Sequence, residues 1–177
     1  MSFLESVKFQ QREERIKQYL MPQRIVLTTG KTKAVNNLLK EKDLQIDLYE
    51  PVSTVLKNGA RPRNKAGILL DFGFEFHGGV RILTHWVKNT KPTPGATLPD
   101  AMVRISFGES VSEAMSELGD KGACNDHSPR VMTVPITTLS DLEFGQTGYR
   151  FVYIQLATPN TEWMVKSVVG AFVYRDL

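Results

Sequence analysis

Cysteine is nearly absent from this chain of 177 residues, in which Cys124 is the single example. An internal disulfide is therefore excluded, and a lone thiol is typical of proteins in reducing compartments. The sequence also lacks any apolar run near the roughly 20 residues that a membrane-spanning helix needs. Charged residues at positions 12–15 interrupt the N-terminal region, which does not resemble a secretory signal. These absences predict a cytoplasmic protein with no membrane partner, although a leader removed earlier would leave the same pattern.

Motifs for several classes of chemistry are missing as well. The three histidines, His77, His85 and His127, lack the close spacing of a zinc-binding pair. No Gly-x-Ser-x-Gly elbow is found, and the glycine-rich segments lack the Lys-Ser or Lys-Thr ending of a phosphate-binding loop. The net charge is only +3, with basic residues scattered along the sequence, which argues against nucleic acid as a partner. No cofactor is expected.

The sequence is rich in short segments where apolar and polar residues alternate, as in half-buried strands. Hydrophobic residues make up 41% of the chain, enough for one globular domain with its own core. Turn-forming residues separate about nine such segments, and helical crossovers are lacking. The pattern predicts an all-β fold, an antiparallel two-sheet β-sandwich or jelly roll. The strands are expected at residues 24–29, 44–49, 53–57, 68–76, 80–84, 102–107, 131–136, 149–156 and 163–174.

The segments between these strands carry recognisable turn and helix signals. Residues 3–20 have loosely helical apolar spacing and predict a short N-terminal helix or irregular arm, which divides the chain into an arm at 1–21 and a sandwich domain at 22–177. Asn58-Gly59 is a turn dipeptide that tolerates positive φ, and Gly78-Gly79 predicts a hairpin. The proline-rich residues 88–99 are expected to form a solvent-facing loop.

Charged residues in the predicted strands indicate which faces meet solvent. In residues 70–76 four apolar residues alternate with Asp71 and Glu75, which places the two carboxylates on an outward face. Arg104 and Arg150 are expected to pair with them there and to stabilise the fold only slightly. Apolar residues near the C-terminus predict a surface that a partner domain covers. They are Val168, Val169, Phe172, Val173 and Tyr174.

Three segments together resemble a known family. VRISFGESVSEA (103–114), leading through GACNDH (122–127) to Arg130, is similar to the β-sandwich that precedes the catalytic barrel of alpha-L-rhamnosidase-like glycoside hydrolases. LDFG (70–73) precedes this run and GQTGYRF (145–151) follows it in the matching order. The resemblance implies a galactose-binding-like jelly roll packed against a C-terminal helical catalytic domain of the same protein. It also implies that this chain is a fragment without the catalytic acid and base.

Candidate site residues fall into an acidic group and an aromatic group. Glycosidases use two carboxylic groups, and one acidic region contains Glu109, Glu113, Glu117, Asp120 and Asp126. We expect these carboxylates to cap turns, with a calcium site through Glu109 and Asp126 as an alternative. Sugar-binding surfaces place aromatic rings against pyranose faces, and polar groups take the hydroxyls. The candidate carbohydrate-binding residues are Trp86, Trp163, Glu109, Asp126 and His127.

Three functional hypotheses follow from the sequence. The first is a non-catalytic sandwich that supports the helical barrel of a rhamnosidase-like hydrolase. The alternative is a stand-alone carbohydrate-binding module or lectin, in which a tryptophan ring stacks on a sugar. A sandwich that binds only other proteins is the third. A carbohydrate ligand distinguishes the second hypothesis from the other two.

Overall fold

The computed structural model describes residues 15–49, 53–91, 101–117, 119–120 and 130–175. Nearly all of the regular structure in these ranges is antiparallel β, as predicted. A 3-10 helix at Val35–Leu39 and a short helix α1 at Val111–Met115 are the helical elements of the described residues. The strands are β1 (Arg15–Leu20), β2 (Arg24–Thr29), β3 (Lys31–Lys33), β4 (Thr54–Asn58), β5 (Gly67–Asn89), β6 (Ala101–Gly108), β7 (Val131–Ile136), β8 (Ser140–Leu156) and β9 (Thr161–Arg175).

Two packed sheets share the long strands β5 and β8, which confirms the predicted sandwich. The first sheet has the order β3-β4-β9-β5-β8 and uses residues 78–89 of β5, with β1 beside the last part of β9. The second has the order β2-β5-β8-β6-β7 and uses residues 67–71 of β5. Both long strands therefore cross from one sheet to the other. Apolar side chains from both inner faces form one core, including Ile68, Ile82, Ile154 and Val168.

The crossing of β5 and β8 distinguishes the two ends of the sandwich. At one end, which we call the folded end, both strands turn the corner between the sheets at about residues 72–79 and 145–149. At the other, the open end, β5 begins in the second sheet and finishes in the first. Five rings fill the core at the folded end with edge-on and tilted contacts 4.5–5.9 Å apart. They belong to Phe72, Phe76, Phe107, Tyr149 and Phe172.

The Gly78-Gly79 hairpin that the sequence predicts is not formed. Both glycines lie within the continuous strand β5, where the backbone turns from one sheet into the other. A Cβ atom on Gly78 would lie 1.9 Å from the carbonyl oxygen of Ala171 on β9. These glycines are needed because backbones approach closely at the corner, not because the chain reverses. Asn58 ends β4 and Gly59 follows it, and neither residue uses the positive φ that it tolerates.

The strand predicted at residues 44–49 is also absent, and the segment lies instead as a strap across the outer face of the first sheet. Side chains of that sheet bind the carbonyl groups that a strand would have used: Lys166 Nζ donates to Gln45 O at 2.5 Å. Arg81 Nη2 donates to Leu44 O at 3.2 Å. Lys166, almost fully buried beneath the strap, also contacts Asp43 at 2.6 Å. The alternation of apolar and polar residues in this segment therefore reflects packing on one side, although the segment does not pair with a strand.

Both chain ends differ from expectation where they are described. Residues 15–20 form β1, which pairs with residues 170–175 of β9, so this part of the predicted arm or helix is a strand. The exposed backbone edge of β9 explains the difference, because it offers partners that an isolated helix lacks. Val168 and Val169 are fully buried within this domain, and Phe172, Val173 and Tyr174 are partly covered, which corrects the expectation of an open docking surface. Residues 1–14 lie outside the described residues.

Asp71 joins three strands of the second sheet just before the corner. Arg150 Nε and Arg24 Nε each donate to its carboxylate at 2.8 Å, and the backbone N–H of Gly73 donates at 2.7 Å. The pairing of Asp71 with Arg150 confirms one expectation, whereas Arg104 pairs with Glu117 instead. Asp71 lies on the face opposite the main core, as predicted, but it is only 1% exposed, so the expectation of a solvent-exposed ion pair is wrong. A buried carboxylate that loses its partners is costly.

The pKa of Asp71 makes the stability of this junction depend on pH. Burial raises the pKa, but hydrogen bonds from Arg150, Gly73 and Arg24 outweigh it and lower the pKa to about 2. Because the folded-state pKa lies below that of the unfolded chain, the stabilisation is complete above about pH 4 and is lost as the pH falls toward 2. We expect Asp71→Asn to cost roughly 2 kcal/mol at pH 6 and almost nothing at pH 2 in urea unfolding. A cost that stays constant over this range would contradict the assignment.

Candidate functional site

A bulge at His85 shapes the outer face of the first sheet near the open end. Thr84 pairs with Val165 and Trp86 with Met164, so His85 is the extra residue on β5. The Nε2 atom of His85 contacts the carbonyl oxygen of Leu48 at 3.3 Å, and its own carbonyl accepts the N–H of Leu139 at 3.2 Å. Bulges re-aim side chains and are frequent beside functional sites. This one anchors both the strap and the β7–β8 turn.

Exposed apolar side chains gather around this bulge. The indole of Trp86 is 45% exposed and meets the His85 ring edge-on at a centroid distance of 6.4 Å. On the strap, Leu48 is 73% exposed and Tyr49 is 91% exposed. Leu139, whose backbone N–H donates to the carbonyl oxygen of His85, has a positive φ and is also exposed. We call these four residues (Trp86, Leu48, Tyr49 and Leu139) the aromatic patch. An indole fixed on a strand with one open face can stack on a ligand without ordering a mobile chain.

A row of charged side chains borders the aromatic patch toward the open end. Lys88, Glu162, Lys57 and Lys31 are successive cross-strand neighbours on β5, β9, β4 and β3. Trp86 and Lys88 point to the same face two residues apart, which corresponds to roughly 7 Å along the strand. Lys57 Nζ donates to Glu162 Oε2 at 2.8 Å. The row therefore presents Lys88 nearest to the indole, with the other three charged groups progressively farther away across the next three strands.

Beyond this row, the loop between β4 and β5 forms one wall of a pocket. The pocket is a shallow depression, largely open to solvent, with a volume of about 400 Å³. Arg61, Arg63 and Lys65 line it from this loop, together with Ala60 and Pro62. Ala157 and Pro159 of the β8–β9 turn form the opposite wall. Among the described residues, no carboxylate lines the pocket, so its three cations face it without a counter-charge.

The buried side chain of Asn58 holds the two walls of this pocket together. Its Nδ2 atom donates to the carbonyl oxygens of Leu156 at 2.7 Å and Thr158 at 3.2 Å. Its Oδ1 atom accepts the backbone N–H of Ala66 at 3.0 Å. The Asn58 side chain is almost fully buried, so these bonds are shielded from water. One amide thus joins the end of the first sheet to both loops that line the pocket.

The structure separates the candidate residues that the sequence grouped for sugar binding. Trp86 is exposed, but Trp163 is fully buried in the core and its indole N–H donates to Thr84 Oγ1 at 3.1 Å, which corrects its proposed role. Glu109 follows β6 at the folded end, away from Trp86 at the open end. Asp126 and His127 lie outside the described residues, so their roles and the calcium alternative remain predictions. Of the three described candidates, Trp86 and Trp163 lie on paired strands but on opposite faces of the sheet, and Glu109 lies at the other end of the domain.

Where it is described, the acidic region caps turns, as expected, but Glu113 also forms a largely buried ion pair that the turn-capping expectation does not include. Ser110 Oγ caps helix α1 by accepting the N–H of Glu113 at 3.2 Å, and Glu113 Oε2 accepts the N–H of Glu109 at 2.7 Å. The other oxygen of Glu113 binds the guanidinium of Arg130, which is almost fully buried. Asp120 accepts the N–H of Glu117 at 2.8 Å. Glu113 thus ties helix α1 to Arg130, the residue before β7, within the described part of this connection.

Sequence reasoning missed the cationic open end. The basic residues are scattered in sequence between positions 31 and 88, and the register of four strands and one loop gathers them in space. The one local signal in the sequence is the Arg-Pro-Arg run at 61–63. Within the described ranges, no group of three or more metal-ligating side chains is found. In the same ranges, no helix is long and apolar enough to cross a membrane.

Comparisons with known proteins identify solved structures but no family. No family model matches the chain, and no curated protein sequence matches it. A rhamnosidase from Klebsiella oxytoca, solved with rhamnose bound, superimposes on 90% of this chain at a TM-score of 0.52 and 16% identity. A truncated AlyQ with CBM32 and alginate lyase domains superimposes on 92% at a TM-score of 0.50 and 9% identity. The chain spans only 29% and 35% of those two chains. At these identities the likeness supports the fold alone.

Two glycines beside the pocket give a matched test of its architecture. Gly30 has φ +60°, and a Cβ atom there would lie 2.6 Å from Ala66 N and 2.7 Å from Asn64 O. A Cβ atom on Gly59 would meet no other atom within 4 Å. We expect Gly30→Ala to lower the free energy of unfolding by about 2 kcal/mol or more, and Gly59→Ala to change it by less than about 0.5 kcal/mol. The free energy of unfolding of both variants is measured by thermal and urea unfolding. If the two substitutions lower it equally, the packing of the loop on Gly30 is contradicted.

Proposed function

We propose that this domain is a carbohydrate-binding β-sandwich that carries no catalytic site of its own. The observation that carries the proposal is the half-exposed indole of Trp86, fixed on β5 beside a row of lysines and Glu162. A flat aromatic face suits the apolar face of a pyranose, and ammonium and carboxylate groups beside it suit hydroxyl groups. The open-end pocket extends this surface. This is the alternative that the sequence left open beside a purely supporting role.

The state of the buried carboxylates supports a non-catalytic role. A glycosidase needs a carboxylic acid with a raised pKa to protonate the leaving group. Asp71 is buried, but its two arginine partners lower its pKa to about 2, so it is ionised at neutral pH. Glu113 is likewise bound to Arg130. Both groups are suited to holding strands and loops in place, and neither is suited to donating a proton.

A second candidate is the sandwich of a rhamnosidase-like hydrolase, which supports an attached helical catalytic domain. The sequence resemblance in residues 70–73, 103–130 and 145–151 favours it. The superposition of 90% of this chain on part of a rhamnosidase is consistent with it. The two candidates are compatible, because an accessory domain of an enzyme can also bind a sugar. They differ in whether the isolated domain has affinity for saccharides.

Substitution of Trp86 tests the carbohydrate-binding proposal. On an array of plant and bacterial oligosaccharides, we expect saturable binding by the wild-type chain and at least about tenfold weaker binding by Trp86→Ala, because the stacking face is removed. Phe74→Ala is the matched control, since Phe74 is 48% exposed but lies near the corner at the folded end. Retained binding in Trp86→Ala, or equal loss in both variants, would remove the aromatic patch from the proposal.

Hydrolysis tests the absence of a catalytic site. We expect the purified chain to release p-nitrophenol from p-nitrophenyl α-L-rhamnoside no faster than buffer alone, because its described buried carboxylates are bound by arginine. L-rhamnose titration by calorimetry separates a rhamnose-binding domain from a support that has no affinity for the sugar. An enzymatic rate that Glu109→Gln abolishes would instead place catalysis in the acidic region.

A further inference from the structure

We infer that the open-end pocket binds the acidic group of an anionic oligosaccharide, such as a uronate, while Trp86 stacks on a neighbouring sugar ring. This inference rests on the proposed carbohydrate-binding function and specifies its ligand class. The first observation is an excess of positive charge in the lining of the pocket. Arg61, Arg63 and Lys65 line a pocket of about 400 Å³, and the described lining residues include no acidic side chain. Such a pocket favours an anion over a neutral ligand.

The arginines suit a carboxylate in particular. A guanidinium group matches the two oxygens of a carboxylate with two parallel hydrogen bonds, which an ammonium group cannot do. Arg61 and Arg63 are exposed and flank Pro62, whose ring fixes the local backbone. The Asn58 clamp and the packing of Gly30 under residues 64–66 hold the base of this loop. The cations are therefore presented by a supported loop rather than by a free tail.

The geometry of the open end indicates an oligosaccharide rather than a single sugar. Trp86 lies roughly 7 Å along its strand from the lysine row, and the pocket loop begins just after Lys57 in that row. A ligand that reaches both the indole and the pocket must cross the row of Lys88, Glu162 and Lys57. Lys57 compensates the charge of Glu162, so an acidic glycan can cross the row, and Glu162 can still accept sugar hydroxyl groups, which a DNA backbone lacks.

Matched acidic and neutral ligands test this inference. The probes are saccharide pairs on an array, each consisting of a uronate oligomer and its methyl ester, with affinities then measured by calorimetry for trigalacturonate and its trimethyl ester. We expect at least one uronate to bind tenfold or more tightly than its ester. The doubly substituted Arg61→Gln/Arg63→Gln chain should lose this preference and keep its affinity for the ester. Trp86→Ala should weaken binding of both forms.

The control is Arg175→Gln, which removes one exposed cation from the end of β9, opposite Arg15 and far from the pocket. It should leave the preference unchanged, and thermal unfolding should show all variants folded. Equal affinity for acid and ester, with dependence on Trp86, would overturn the acidic ligand but leave carbohydrate binding intact. Binding to no saccharide would overturn both. Tighter binding of a single-stranded DNA oligonucleotide than of any uronate, lost in the double variant, would also overturn the inference.

Discussion

The buried amide of Asn58 is the interaction on which the open end depends. Both sheets finish there, and two backbone hydrogen bonds, from Leu156 N to Ala66 O and from Asn160 N to Gly59 O, also connect their loops. Asn58 bonds to Leu156, Thr158 and Ala66 with its two N–H groups and its oxygen, so one side chain in the first sheet fixes the end of the second sheet and both pocket walls. A carboxylate or an apolar residue of similar size could not supply two donors and one acceptor in this place. Together with the packing of Gly30 under residues 64–66, this residue positions the loop that carries the cations.

The two ends of the sandwich are held by different physical means. At the folded end, long strands turn between sheets, rings pack closely and Asp71 joins three strands through charged hydrogen bonds. At the open end, short loops meet, and polar contacts of Asn58 and His85 hold them. Substitutions at the folded end are therefore expected to lower the stability of the fold, whereas exposed residues at the open end can vary with less cost to folding. This difference is typical of a scaffold that carries a binding surface at one end.

The fold class was predictable from the sequence because alternation reports burial on one side. Residues 24–29, 102–107 and 131–136 became strands as expected. The same signal failed at residues 44–49, since side chains of Lys166, Arg81 and His85 took the carbonyl groups of that segment. The hairpin predicted at Gly78 is wrong because, in the sequence, a glycine needed for close backbone contact cannot be distinguished from a glycine needed for a turn.

The candidate site was only partly predictable. The preference of sugar-binding surfaces for aromatic rings selects both tryptophans, and the structure exposes Trp86 but buries Trp163. The cationic open end was not visible, since strand register and not sequence spacing brings Lys31, Lys57 and Lys88 into one row. Sequence patterns report which side of a strand is buried. They do not report which strands are neighbours.

The two tryptophans provide the most direct test of the central claim that ligand binds at the open end. An ¹⁵N–¹H spectrum of the chain contains one indole signal from exposed Trp86 and one from buried Trp163, which is hydrogen-bonded to Thr84. During titration with the tightest saccharide from the array, the Trp86 signal is expected to shift with saturation while the Trp163 signal stays in place. A saturating titration in which the Trp86 signal does not move, and shifts cluster at the folded end, would contradict the account.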